Sequence, residues 1–258
     1  MAAPIYDSVV LLGDSQTEFG SKPGGLVNLL AAHYSRVFDV VNRGFSGYTT
    51  DQARVLAPRI FAQQRVSGAA ELGSPPSGTV RLVTVWFGSN DAAVPGHRQH
   101  VPLSRFRENL SAILDTIEAR APAAKILCLT PVTLIPETER VGESRQPAIT
   151  RTYVDAILEV AQARRSSRIV GVDLYSMFEE VASKHLGAMQ PLLQEDGLHI
   201  SDFGYKLIFH KLTGIINGQW PELDPRRLQA TYPLWRDVLP EEGEAAVSLE
   251  PRANVLQA

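Results

Sequence analysis

Short apolar runs alternate with amphipathic helical stretches along most of this 258-residue chain. That alternation restricts it to a parallel sheet covered by helices on both faces. Val9-Val10-Leu11-Leu12 is a continuous apolar run closed by Gly13, the pattern of a strand buried on both faces. Leu26, Val27, Leu29, Leu30, Tyr34 and Phe38 recur at helical spacing and predict a first helix. Asp39 to Asn42 reads as a second strand, and Thr49 to about Gln64 as a second helix. Arg81 to Phe87, rich in β-branched and aromatic residues, is the clearest strand, and a helix from about Ser104 to Arg120 follows it. A fourth strand spans Lys125 to Thr130 and stops at Pro131; after a helix from about Gln146 to Ala163 comes a fifth, Arg168 to Val172. Two further helices fit Tyr175 to Leu186 and Ser201 to Ile216. The expected fold class is α/β, a flavodoxin-like, doubly wound five-stranded parallel sheet. There is no internal repeat.

Three segments interrupt the alternation. Ser67 to Gly78 is rich in Gly, Ser and Pro and reads as a surface loop. Val132 to Pro147 is polar after its first residues and long for a connection, as lids, binding loops and functionless insertions all are. Residues 219–240 carry Trp220, Tyr232 and Trp235 among prolines, and are expected to dock as an extension on the 1–218 domain or on a partner subunit in a homodimer. Residues 241–258 hold Glu241, Glu242, Glu244 and Glu250 against Arg252, so this tail, expected to be disordered, carries all of the formal charge of −3. The body therefore has balanced charge and no basic field for nucleic acid or anionic lipid. No apolar run reaches the length of a membrane span and the N-terminus lacks a leader pattern, which leaves the cytoplasm as the default expectation.

In a doubly wound sheet ligands bind beyond the carboxyl ends of the strands, where the strand order reverses. Ser15 follows the first strand, Gly44 the second and Asn90 the third, so this fold brings them to one rim. Asp196 and His199 precede the last helix, in a loop able to return to that rim. Each residue also has a plainer reading. Asp14 and Ser15 are both good helix N-caps, Gly44 suits a turn needing positive φ, and Ser89-Asn90-Asp91 is turn-forming. On the chemical reading Ser15 is a nucleophile whose N–H lies near a helix N-terminus, and Gly44 N–H and the Asn90 amide are further oxyanion donors. Asp196, three residues before His199, could accept from Nδ1–H and leave Nε2 to take the serine proton.

Other candidates carry less. His97 and His100 flank a polar loop with no carboxylate or cysteine cluster to complete a metal site, so solvated histidines are expected and no metal. His33, His185 and His210 fall on helices, and Cys128 in an apolar run reads as a buried free thiol. There is no Gly-x-Ser-x-Gly elbow, no Walker P-loop and no Gly-x-Gly-x-x-Gly after a strand, so no nucleotide cofactor is expected.

Taken in order, Gly13-Asp14-Ser15, Asn42-Arg43-Gly44, Gly88-Ser89-Asn90-Asp91 and Asp196-Gly197-Leu198-His199 resemble the sequence blocks of the GDSL or SGNH hydrolase superfamily. The first block here reads Gly-Asp-Ser-Gln, with Gln16 where the name has leucine. Asn42 to Tyr48, Phe87 to Asp91 and Leu234-Trp235-Arg236-Asp237-Val238 look like the branch of isoamyl acetate-hydrolysing esterases, and the likeness spans about residues 8–238. The resemblance implies a three-layer αβα sandwich that hydrolyses small, acetate-type carboxylic esters without a cofactor. It implies a catalytic triad of Ser15, His199 and Asp196, with an oxyanion hole from Ser15, Gly44 and Asn90. A deacetylase, thioesterase or acyltransferase would use the same residues. A non-catalytic flavodoxin-like module would instead use Asp14 and Asp91 as an acidic rim. A phosphoacceptor version of that module wants a lysine after the fifth strand, and Gly171 to Tyr175 offers none.

Overall fold

Five parallel strands pair in the order β2-β1-β3-β4-β5, with β1 at Asp7–Gly13, β2 at Phe38–Gly44, β3 at Val80–Trp86, β4 at Lys125–Leu129 and β5 at Ile169–Val172. This is a computed structural model, and it describes residues 6–61, 78–132, 144–164, 166–184 and 192–235. The strand order reverses between β1 and β3, so the switch point lies at the end of β1, next to Ser15. Side chains alternate across the sheet. Val9, Leu11, Leu82, Trp86, Leu127 and Leu129 face one layer of helices, α2 (Leu26–His33), α6 (Leu174–Lys184) and α7 (Asp202–Gln219). Val10, Leu12, Val83, Val85, Ile126 and Cys128 face the other, α3 (Thr50–Ile60), α4 (Leu103–Arg120) and α5 (Pro147–Ala163). β2 is an edge strand, and its sequence shows it: only Phe38 is buried, and polar Asp39, Asn42 and Arg43 are tolerated there.

The first helix is shorter than its periodicity suggests. α2 ends at His33, and Phe38 opens β2. The backbone N–H groups of Val37 and Phe38 both donate to Tyr34 O at 3.0 Å, and Arg36 takes φ +68°, a left-handed turn that ends the helix. Tyr34 and Phe38 nevertheless pack with ring centroids 5.1 Å apart. Their spacing reflects one shared core layer rather than one helix. The second helix also stops early, at Ile60 rather than Gln64. Its start is firmer, a capping box in which Thr49 N–H donates to Gln52 Oε1 at 2.8 Å.

Trp220 and the residues after it lie against the amino ends of the strands. Trp220 Nε1 donates to Ser167 O just before β5, and Glu222 pairs with Lys125 at the start of β4 (3.0 Å). Leu223 and Leu228 are buried, Thr231 N–H donates to Arg36 O, and Arg36 Nη2 donates to Tyr232 O and Pro233 O. Leu234 and Trp235 are exposed. The tail at 241–258, most of the 132–147 and 67–78 loops, Gln64, His185 and Leu186 lie outside the described residues. Among the described residues no helix is long and apolar enough to cross a membrane.

Candidate active site

Gly13, the last residue of β1, pairs with Gly44 of β2 and Trp86 of β3, so three strand ends meet where the sequence turns to Asp14-Ser15. Asp14 caps a single helical turn, α1 (Ser15–Glu18): Oδ1 accepts from Gln16 N–H at 2.9 Å, and its carbonyl accepts from Thr17 and Glu18. Both the cap reading and the site reading thus fall on this turn. A one-turn helix has little macrodipole, so any help to an oxyanion comes from its open N–H groups.

His199 sits on a loop closed by the Leu193–Ile200 bridge, with Gln194 N–H donating to His199 O at 2.7 Å. Gly197 at φ +66° turns the chain so that Asp196 folds back over it. Asp196 Oδ1 accepts from the N–H groups of Leu198 and His199, both at 2.9 Å, which leaves Oδ2 to accept from His199 Nδ1 at 2.5 Å. A carboxylate only accepts, so the proton is on Nδ1, and Nε2 is free to accept from Ser15 Oγ–H at 3.0 Å. Partial burial of Asp196 opposes its ionisation, but the hydrogen bonds from the His199 ring and the His199 and Leu198 N–H groups outweigh it. Its carboxyl is held below the usual range. Ser15 is buried while Asp196 remains half-exposed. The Phe19 ring lies 4.8 Å from the His199 ring, and Lys22 caps that phenyl.

Gly44 reaches the same rim, but not for the reason a turn glycine would. Its φ is not positive; an added Cβ would lie 2.0 Å from Glu18 N, so the close approach of α1 excludes any side chain. Its N–H donates to Asn42 Oδ1 at 2.8 Å and is already engaged. Asn90 is buried after β3, and its Nδ2 donates to Tyr48 O at 2.9 Å. Its Oδ1 accepts from Gln99 Nε2 and Arg145 Nη2. Phe45 and Tyr48 stack 5.3 Å apart beside it.

Asp14 and Asp91 do not form an exposed acidic rim. Both are fully buried, and Asp14 Oδ2 and Asp91 Oδ2 accept no hydrogen bond among the described residues. Burial, reinforced by the neighbouring Asp91, pushes Asp14 up to about 7 against the Gln16 N–H bond. Burial likewise raises Asp91 to about 6, although Thr50 donates to its Oδ1 through both N–H and hydroxyl.

Three residues at the site were not among the candidates read from the sequence. Gln16 is buried, and its amide brackets His199: Nε2 donates to Leu198 O at 2.8 Å and Oε1 accepts from Ile200 N–H at 3.1 Å. Arg145 is buried and Gln99 half-buried, and both meet at Asn90. Only a polar residue in place of the motif's leucine hinted at Gln16. The histidines at 97 and 100 shape their own loop; His100 Nδ1 donates to Ala93 O, and His97 Nδ1 accepts from Gln99 N–H. His33 packs against Tyr34 and Phe209, and His210 is exposed. Cys128 is buried, its thiol pushed up to about 12 by burial. Among the described residues no group of three or more His, Cys, Asp or Glu could hold a metal.

A model of the GDSL-like lipase/acylhydrolase family matches residues 11–207. A rat protein named isoamyl acetate-hydrolyzing esterase 1 homolog is 31% identical over 257 residues, covering 95% of this chain and 92% of its own. The isoamyl acetate-hydrolyzing esterase of Schizosaccharomyces pombe is 29% identical over 91% of this chain and 85% of its own. In three dimensions a lipase/acylhydrolase from Enterococcus faecalis superposes with a TM-score of 0.60, at 24% identity, over 83% of this chain and 96% of its own.

Proposed function

The chain belongs to the GDSL-like lipase/acylhydrolase family, and on that premise we propose that it is a serine esterase that hydrolyses small, acetate-type carboxylic esters through an acyl-Ser15 intermediate. The observation that carries this reading is the single histidine between a buried serine hydroxyl and a carboxylate, with Nε2 at 3.0 Å from Ser15 Oγ and Nδ1 on Asp196. His199 Nε2 takes the Ser15 proton as Oγ attacks the ester carbonyl, and Asp196 stabilises the imidazolium. The N–H groups of Ser15 and Gly44 and the amide of Asn90 receive the oxyanion. For Gly44 the developing anion competes with Asn42 Oδ1 for one N–H, and a charged acceptor is the stronger of the two. The tetrahedral species collapses, His199 protonates the departing alcohol, and the acyl group stays on Ser15. Water then attacks that ester by the same route, releasing the acid and restoring the Ser15 hydroxyl.

The acetate preference rests on the names of the rat and fission-yeast relatives. Ser15→Ala is expected to lower ester turnover by at least about 10³-fold with the fold unchanged, and to abolish labelling by a fluorophosphonate. Normal turnover by a folded Ser15→Ala protein would reject the nucleophile. A series of p-nitrophenyl esters from acetate to laurate is expected to be cleaved fastest at the acetate end. A maximum at laurate would overturn the substrate class while leaving the chemistry standing.

A further inference from the structure

We infer that Arg145 is a positioning residue, one that fixes the orientation of the Asn90 amide; the inference rests on the reading of Asn90 as an oxyanion donor. An amide has two ends of nearly equal shape, and only its partners decide which end faces where. Around Asn90 the partners form a closed relay. Arg145 Nε donates to Ser89 O at 2.6 Å, Nη1 to Ser144 O at 3.1 Å, and Nη2 to both Asn90 Oδ1 (3.3 Å) and Gln99 Oε1 (3.1 Å).

A guanidinium has donors and no acceptor, so among the side chains of this relay it alone has a fixed polarity. Its contact with Gln99 requires the Gln99 carbonyl to face it. The Gln99 NH₂ is thereby turned toward Gly47 O (2.9 Å) and Asn90 Oδ1 (3.1 Å). Two donors then converge on Asn90 Oδ1, and the Asn90 NH₂ is directed to Tyr48 O, with one N–H left uncommitted among the described residues. Rotating the Asn90 amide by half a turn would set its NH₂ against two donors and its carbonyl against Tyr48 O. Arg145 thus prevents the arrangement in which Asn90 presents an acceptor where a donor is needed. The grip on Ser89 O holds the backbone of the same turn.

A competing role is charge balance alone, since Arg145 is the cation whose field reaches buried Asp14 and Asp91. Arg145→Lys separates the two. It keeps the charge but loses the planar fork that reaches Ser89, Asn90 and Gln99 together. We expect a folded Arg145→Lys protein to lose about tenfold in kcat on p-nitrophenyl acetate with KM changed by less than about twofold. In an Asn90→Ala background the same change is expected to alter kcat by less than about twofold, because the amide it orients is gone. An unchanged kcat in Arg145→Lys, or the full tenfold loss repeated on Asn90→Ala, would overturn the role. Should Arg145→Lys not fold, Gln99→Leu interrupts the relay at a half-buried position. It is expected to lower kcat several-fold only when Asn90 is present, and an equal loss in both backgrounds, or none, counts against the inference. If Asn90→Ala by itself leaves kcat unchanged, Asn90 leaves the oxyanion hole and Arg145 loses this role with it. That result differs from a silent Arg145→Lys beside a damaging Asn90→Ala.

Discussion

At the carboxyl ends of β1 and β3 the chain buries Asp14, Asp91 and Arg145, and leaves two carboxylate oxygens without a hydrogen-bond donor among the described residues. At the amino ends of β4 and β5 it buries Trp220, Leu223 and Leu228, satisfies the indole N–H on Ser167 O, and pairs Lys125 with Glu222. The two ends belong to one rigid sheet, so a destabilising arrangement at one is offset by apolar burial and satisfied polar groups at the other. The four sequence blocks that hold Ser15, Gly44, Asn90 and His199 lie at the first end. Stability and chemistry are therefore separable here by position, and substitutions at the two ends should move different observables.

The largest test falls on the amino end. Trp220→Ala removes a buried indole and its hydrogen bond, and is expected to lower unfolding stability by about 3–5 kcal/mol in urea titration. The kcat of the remaining folded protein should not change. Activity falling faster than the folded fraction would break the separation. Asp14→Asn tests the other end, and the sign is opposite. Folded Asp14 keeps its proton up to about 7, against an ordinary value of 3.8. Its contribution to stability is therefore fully present below about pH 3.8 and is lost as pH rises through about 7. Asparagine keeps the cap oxygen for Gln16 N–H and cannot ionise. Its stability relative to the parent should thus rise by about 2–4 kcal/mol between pH 4 and 8. A difference that stays flat across that range would mean that Asp14 is already ionised in the fold.

Much of this was legible in the sequence because the fold's logic is local to each strand. Val9 to Leu12 and Arg81 to Phe87 announce strands buried on both faces, and the residues that follow them are those we propose for the chemistry. Asp196-Gly197-Leu198-His199 is likewise a local device, a turn that fixes carboxylate against imidazole within four residues. What the sequence concealed is what depends on distant segments meeting. Phe38 kept the helical phase of Tyr34 because both enter one core layer. Gly44 looked like a turn glycine, whereas the constraint on it comes from the backbone of Glu18. Arg145 lies in a stretch with no periodicity, and its part depends on Ser89, Asn90 and Gln99 arriving beside it.

Gln16 gives the smallest and sharpest test, because it stands at the reactive end yet makes its contacts as a structural residue does. Its side-chain amide spans Leu198 O and Ile200 N–H on either side of His199, and its backbone carbonyl accepts from the Tyr205 hydroxyl at 2.7 Å. Gln16→Leu installs the leucine of the name-giving motif at nearly the same volume, and leaves Leu198 O and Ile200 N–H without that partner. The loss in stability should be about 1–2 kcal/mol, below that of Trp220→Ala. If the bracket holds Nε2 on Ser15, kcat should also fall by up to about tenfold with KM unchanged, and fluorophosphonate labelling should slow in parallel. A protein that is destabilised but labels at the parent rate would place Gln16 with Trp220 in function while it sits beside Ser15 in space. The division between the two ends would then follow the partner each side chain holds, and not the end of the sheet on which it lies.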